Sequence, residues 1–240
     1  MDRIAQLDEK ERSELFRETA ARLQLTPIIA EKDFWVVWVL KQIFKQPHLA
    51  EILKFKGGTS LSKAYNIIER FSEDIDLILD WRSVTKDRPI ADRSRSAQDR
   101  LNKSIQQKAQ DYISKNLLAI ISDCLSPVCK CSIKPDDGFA VIVRYPAAFA
   151  DGYIRNEILL EIGPLAAWLP SESRSIISFA ATAFPDVFSK ASCQIPTIAA
   201  ERTFWEKATI LHQEAHRPLD KPMPLRYSRH YYDLAMLAGS

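Results

Sequence analysis

No run of apolar residues in this chain is long enough to cross a bilayer, and its first residues, MDRIAQLDEK, have no signal-peptide core. These absences predict a soluble, cytoplasmic protein with no membrane partner. Cysteine is scarce: Cys124, Cys129, Cys131 and Cys193 form no CxxC pair, so reduced buried thiols are expected, not a zinc or disulfide framework. Neither charge sign dominates, since 33 Lys and Arg face 31 Asp and Glu for a net of +2. Composition as a whole therefore demands no nucleic acid. Nor is there a P-loop: GxxxxGK[ST] does not occur, and Lys63 falls inside a helical stretch, not after a glycine turn.

What is present centres on Phe55 to Asp80, FKGGTSLSKAYNIIERFSEDIDLILD. Ile52, Leu53 and Phe55 read as a short strand running into Gly57-Gly58, where two residues without Cβ allow a sharp turn and close approach to a ligand. Thr59 and Ser60 stand where either hydroxyl would cap the next helix, and free N–H groups there favour a phosphate. Leu61, Ala64, Tyr65 and Ile68 give that helix an apolar face, with its end near Arg70. Asp74-Ile75-Asp76-Leu77-Ile78-Leu79 then alternates with period two, which puts Asp74 and Asp76 on one strand face. Two carboxylates this close repel, and a divalent cation, Mg²⁺ or Mn²⁺, relieves that repulsion. The plain alternative is a capped helix followed by an edge strand with solvated acids.

These residues carry a resemblance. Gly57-Gly58-Thr59-Ser60 followed by Asp74-Ile75-Asp76 resembles the signature of the polymerase-β-like nucleotidyltransferase fold, and the fuller string FKGGTSLSKAY…RFSEDIDL is similar to the AbiEii/AbiGii-type nucleotidyltransferase toxins, whose relatives include the MenT toxins. Three further stretches match that family in order: Glu31-Lys32-Asp33-Phe34-Trp35, Glu201 to Lys207 (ERTFWEK), and Ser228 to Leu234 (SRHYYDL). The resemblance implies an α+β fold, a mixed antiparallel-rich sheet flanked by helices. Residues 1–195 would form the nucleotidyltransferase-like domain, and residues 196–240 a helical C-terminal part completing the site.

Along the rest of the chain, Asp8 to Glu11 reads as a capping box and Thr26-Pro27 as a second helix start. Ile28 to Phe44 reads as a buried helix, on which Lys32 and Asp33 are expected to form a surface pair. From Arg82 to Lys115 nine Lys or Arg face four Asp. This basic stretch includes Arg88, Arg93, Arg95, Arg100, Lys103 and Lys108, first as a loop and from Ser96 to Ile121 as a long helix, which suits RNA or a solvated helix face. Val128 to Ile133 and Phe139 to Tyr145 read as a hairpin about Pro135 to Gly138. In Asn156 to Gly163, Glu157 and Glu161 share a face of an apolar strand. A carboxylate there needs a partner. The fold's third acid sits on such a later strand, so the resemblance points to Glu161, with Glu157 as the alternative and an ion pair to Arg144 or Arg155 as the ordinary reading. The stretch from Pro164 to Phe188 is weakly informative, and Thr197 is expected to cap a helix running to His212. His212 and His216 have zinc-ligand spacing but no third ligand.

The family's site lysine corresponds to Lys207, and its Arg and Asp of the last helix to Arg229 and Asp233. By that resemblance Asp74, Asp76 and Glu161 hold the metal, and Asp74, Asp76, Lys207 and Asp233 are catalytic. Gly57, Gly58, Thr59, Ser60, Lys207 and Arg229 then bind a nucleoside triphosphate. The family implies a toxin with a cognate antitoxin and transfer to RNA, the tRNA 3′ end in particular. Transfer to a protein hydroxyl, Ser60 of the chain itself included, or nucleotide binding without catalysis are the alternatives. The chain ends seven residues after Asp233, where members of that family usually continue.

Overall fold

A computed structural model describes residues 1–86, 92–150, 154–166, 168–218, 220–223 and 226–240. Arg88, counted in the basic stretch, lies outside the described residues. Four helices lead: α1 (Asp2–Ala5), α2 (Glu9–Leu23), α3 (Pro27–Phe44) and α4 (Pro47–Ile52). Asp8 caps α2 by accepting from the Glu11 N–H at 2.8 Å, and Pro27 opens α3 at its first turn. The strand β1 (Leu53–Lys56) runs directly into α5 (Gly57–Lys63), and β2 (Ile75–Leu79) returns antiparallel beside it.

The basic stretch is helical from α6 (Arg95–Tyr112) through a π-helical turn at Ile113–Leu117 to α7 (Leu118–Leu125). Its buried residues, Ile105, Ala109, Ile113, Leu117, Ile121 and Leu125, recur every four positions. In an α-helix that repeat drifts about 40° per step. The wider π turn brings the drifting stripe back onto the sheet.

The hairpin β3 (Lys130–Lys134) and β4 (Asp137–Arg144), then β5 (Glu157–Gly163), β6 (Ser171–Ile177) and β7 (Ser192–Ile198), complete a seven-stranded sheet of order β3-β4-β5-β2-β1-β7-β6. The sheet is mixed: β1 is parallel to β7 and β2 to β5, while the other neighbours are antiparallel. This is the α+β, antiparallel-rich mixed sheet expected. Between β6 and β7 lies α8 (Phe179–Ala183), and α9 (Ala200–Ala215) and α10 (Ser228–Ala238) close the chain.

Three local expectations differ. The first helix after the glycines starts at Gly57 and ends at Lys63, well short of Arg70, because Asn66 takes a left-handed φ of 55°. No side chain caps its start. Thr59 and Ser60 are wholly buried: Thr59 donates to the Asp74 carbonyl, and Ser60 donates to the Gly57 carbonyl at 2.8 Å. Thr197 is a β7 residue whose hydroxyl bonds the Ile195 carbonyl at 2.9 Å, so the helix begins two residues later than a Thr197 cap implies. Residues 195 and 196 both lie within β7, which continues the sheet up to the C-terminal helices. Finally, the stretch that patterning left blank carries β6 and α8. The alternate residues of β6 are largely exposed polar groups, the signature of an edge strand with one wet face.

Candidate active site

β1, β2 and β5 lie side by side, and their register lines up Lys56, Asp76 and Glu161 in one row across the sheet. Side chains paired in this way stand on the same face. The opposite face of β2 and β5 is the core, where Ile75, Leu77, Ile158, Leu160 and Ile162 are buried. Asp74 stands at the mouth of β2, one residue before the strand begins.

Each of the three acids has another carboxylate within electrostatic reach. Burial, then Glu161, then Asp74 push the Asp76 carboxyl up to about 7, although Lys56 and Lys207 oppose the shift. Burial and Asp74 raise Glu161, with Lys134 opposing the shift. Burial and the adjacent Glu73 raise Asp74. Near neutral pH Asp76 is therefore poised to hold a proton unless a cation replaces it. Glu157, the alternative third acid, instead pairs with Arg144 at 3.6 Å across β4 and β5.

Gly57 explains why glycine must precede this row. Its φ is +79°, and a Cβ there would collide with the Asp76 carboxylate, 2.6 Å from Cγ. A Cβ on Gly58 would come within 2.8 Å of Arg70 Nη2 and 3.0 Å of Ser72 Oγ. The glycine pair thus admits Asp76 on one side and Arg70 on the other.

Lys207 is buried on α9, its Nζ 2.7 Å from Asp233 Oδ2. It is not the surface lysine that a pairing with Glu206 or Glu214 would make it: Glu206 bonds Lys56 at 2.6 Å and Glu214 bonds Arg217 at 2.6 Å. Asp233 is fully buried and committed. Its Oδ1 accepts from Arg70 Nε at 2.7 Å, and its Oδ2 accepts from Arg70 Nη2 at 2.6 Å as well as from Lys207. Burial pushes the Asp233 carboxyl up, but the bonds from Arg70 and Lys207 outweigh it and hold it low. Asp233 consequently orients Lys207 and offers no free oxygen to a substrate. Arg229, one turn earlier on α10, is half-buried within electrostatic reach of Arg226, Arg70, Glu73 and Asp74, and makes no ion pair among the described residues. A small apolar cluster of Leu61, Ile68 and Leu237, packed with Phe204 and Met236, docks α9 and α10 onto α5.

The matched residues on α3 serve a different end. Lys32 and Asp33, expected as a surface pair, are 1% and 0% exposed, because α3 is buried along most of its circumference. Each finds its partner elsewhere in the chain. Lys32 donates to Glu73 at 2.9 Å and to the Arg155 carbonyl at 2.8 Å. Asp33 pairs with Lys63 and accepts from the Phe179 N–H at 2.6 Å. Glu31 accepts from the N–H groups of Ala148 and Phe149. Three consecutive charges on one helix thereby fix the loops before β2, β5 and α8.

Sequence reasoning missed Lys56, Arg70 and Glu73. Alternation along β1 was a usable signal for Lys56, which faces the same way as the carboxylates across the register. Arg70 and Glu73 lie in irregular chain between α5 and β2, where periodicity says nothing, and their place in the string RFSEDIDL marked the resemblance without assigning either a role. A cavity of about 790 Å³ lies behind Arg70 against Leu23, Leu25 and Ile29, away from the carboxylates.

Among the described residues no group of three or more His, Cys, Asp and Glu is close enough to hold a metal ion alone. Mg²⁺ does not need such a cage. It is commonly bound by one or two carboxylates and completed by water and substrate phosphate. Asp76 and Glu161 in register, with Asp74 at the strand mouth, fit that open arrangement.

A family model described as the nucleotidyl transferase AbiEii toxin, of a type IV toxin–antitoxin system, matches residues 38–240. The chain belongs to the AbiEii family. Among solved structures, MenT4, a nucleotidyltransferase toxin of Mycobacterium tuberculosis H37Rv, is similar at 20% identity and a TM-score of 0.46, over 89% of this chain and 66% of that one. JHP933 of Helicobacter pylori is similar at 18% identity and a TM-score of 0.44, over 88% of this chain and 66% of that one. The chain thus spans just under two thirds of each of these relatives. No curated protein matches it. The AbiEii match begins within α3, so α1, α2 and the Glu31-Lys32-Asp33 clamp lie ahead of it. No described helix is long and apolar enough to cross a membrane.

Proposed function

We propose that this AbiEii-family chain is a divalent-metal-dependent nucleotidyltransferase toxin of the cytoplasm. It transfers a nucleoside monophosphate from a nucleoside triphosphate to an RNA acceptor, the 3′ end of tRNA in particular, and a cognate antitoxin restrains it. The observation that carries the reading is the row of Asp76 and Glu161, in register and pressed against Gly57, with a buried lysine beside it. Bound there, Mg²⁺ or Mn²⁺ neutralises phosphate charge and favours ionisation of the attacking hydroxyl.

The chain's own residues divide the remaining work. Asp76 and Glu161 would hold the metal, with Asp74 at the strand mouth able to add an oxygen as the site closes on substrate. Gly57 and Gly58 let the turn pass close against the Asp76 carboxylate and Arg70, which sets the start of α5 beside the row where the triphosphate would sit. The Thr59 and Ser60 hydroxyls are committed internally, so their part is to shape that turn. Lys207 Nζ, oriented by Asp233, and the Arg229 guanidinium neutralise the departing pyrophosphate. The acceptor oxygen forms its bond to the α-phosphorus as the bond to the pyrophosphate oxygen breaks, and the hydroxyl proton leaves to a carboxylate of the row or to water. Burial of Ser60 speaks against its being the acceptor.

The test is incubation of the purified protein with each labelled nucleoside triphosphate, Mg²⁺ and total tRNA, with Asp76→Ala alongside. Label on RNA that the variant fails to add supports the reading. Label on protein alone redirects it to a protein hydroxyl, and nucleotide binding without transfer reduces it to a binding module.

A further inference from the structure

Two cavities meet beside the carboxylates. One, of about 400 Å³, is lined by Lys56, Asp76, Gln106, Phe139, Glu161 and Leu165. The other, of about 490 Å³, is walled by Lys56, Leu165, Arg202, Trp205, Glu206 and Gln213. Lys56, Leu165 and Ala166 border both, so the two form one groove leading away from the Asp76–Glu161 pair.

The outer half of this groove is built from one stripe of α9. Arg202, Trp205, Glu206, Thr209 and Gln213 recur at i, i+3, i+4, i+7 and i+11, a single helix face. Lys207 and Thr203 occupy the buried face of the same helix, so Lys207 and Trp205 point to opposite sides of it. Trp205 is 64% exposed, whereas Trp35 and Trp38 are 0% and 4% exposed in the core. Its ring is braced edge-on by Phe204 at 5.3 Å, and no residue of the described chain covers its outer face. A tryptophan held this way on a groove wall is a flat, rigid surface awaiting a partner.

Stacking and charge together narrow the partner's class: away from Asp76 and Glu161 the lining carboxylates are paired, Glu206 with Lys56 at 2.6 Å and Asp137 with Lys134 at 3.5 Å. Arg202 stands on the same stripe, and among the described residues only its Nε is engaged, to the Leu169 carbonyl at 2.9 Å. At the other end of the groove Gln106 belongs to α6, and Lys103 and Arg95 share its helix face at i−3 and i−11, with Asp99 between them. Both cations are exposed and make no ion pair among the described residues. An aromatic platform flanked by cations on a path to a phosphoryl-transfer row matches an unpaired stretch of nucleic acid, whose bases stack and whose phosphates need countercharge. The cations assigned to the triphosphate, Lys207 and Arg229, serve the other side of α9.

We infer that this groove seats the unpaired end of the RNA acceptor, with Trp205 stacking one of its bases and Arg202 meeting its backbone. The inference rests on the RNA-acceptor reading above. It is tested by steady-state transfer with total tRNA and nucleoside triphosphate varied separately, for wild type, Trp205→Ala and Trp205→Phe. Stacking of this kind contributes enough per base that Trp205→Ala is expected to raise the KM for tRNA about tenfold. The kcat should stay within about threefold and the KM for nucleotide within about twofold, and Trp205→Phe should restore most of the tRNA affinity. Far-UV circular dichroism of the variants should match wild type, because the ring is exposed.

A tRNA KM unchanged in Trp205→Ala, with RNA still labelled, overturns the groove and leaves the transferase reading standing. A rise confined to the nucleotide KM also overturns it, since the stacked base is then the substrate's own. Unchanged RNA kinetics with loss of a co-purified antitoxin assigns the face to a protein and sinks the inference. Failure of wild type to label RNA removes the acceptor reading and the groove together.

Discussion

Two sets of charge lie on either side of the start of β2, one buried on α3 and one on the open face of the sheet, and they are built on opposite principles. On α3, Glu31, Lys32 and Asp33 are each matched to named donors or acceptors that fix the loops, even though burial pushes the Glu31 and Asp33 carboxyls up. On the sheet like charge adds to burial: Glu161 and Asp74 raise Asp76, Asp74 raises Glu161, Glu73 raises Asp74, and none of the three site acids makes an ion pair among the described residues. A buried charge that is paired stabilises a conformation, whereas like charges brought together cost stability and imply a partner that the chain does not contain. The first set reads as architecture, the second as a site.

The comparison breaks most visibly if the two sets respond alike to substitution. Asp76→Ala is expected to lower transferase activity by about 10⁴-fold, about 5 kcal/mol in barrier, while the melting temperature stays level or rises. Labelled-nucleotide transfer and calorimetry on the same sample check both halves. Lys32→Met should do the reverse. It leaves Glu73 beneath α3 without its main cation, and removing one partner of a buried pair costs about 3–5 kcal/mol of folding stability. Chemical denaturation measures that loss. A Lys32 variant as stable as wild type would mean that the α3 charges are not structural.

How far the sequence revealed these two sets follows from the range over which each is built. The carboxylate row rests on short-range rules. Alternation along Asp74 to Leu79 and along Glu157 to Gly163 gave the facing, and the glycine pair marked the turn. Only the register, which sets Glu161 beside Asp76 and leaves Glu157 to Arg144, needed the sheet itself. The α3 clamp was illegible because its partners lie 41 residues away for Lys32–Glu73 and 146 for Asp33–Phe179. Local pattern sees three charges on a helix and expects solvent. The edge strand β6 escaped for a related reason: its polar outer face mimics a loop.

Asp233 sharpens the comparison because it belongs to the site by position and to the architecture by bonding. Its two oxygens are used by Arg70 and Lys207. Asp233→Asn keeps the shape but removes the charge that orients the lysine, as a residue supporting a catalytic group does. Activity should fall about 10- to 100-fold. The loss is expected mainly in kcat, with a smaller change in nucleotide KM, and Lys207→Ala in the same background should add little further. Full additivity of the two substitutions would show that Asp233 acts independently of Lys207.

The smallest expected effect is on stability against pH without metal. Asp76 ordinarily titrates at 3.8, and in the folded chain it titrates at about 7. The folded state therefore holds this proton more tightly than the unfolded chain does. Its favourable contribution is complete below about pH 4 and is lost as pH rises through about 7. Solvent screening at a half-buried group reduces the effect to about 1–2 kcal/mol. With a chelator present, Asp76→Asn should then melt above wild type by several degrees at pH 8 and by almost nothing at pH 4. Added Mg²⁺ should close the gap from the wild-type side, because a cation bound at the row stabilises only the folded chain that keeps its carboxylate. A gap independent of pH and of Mg²⁺ would place the cost of Asp76 in packing and remove the contrast with α3.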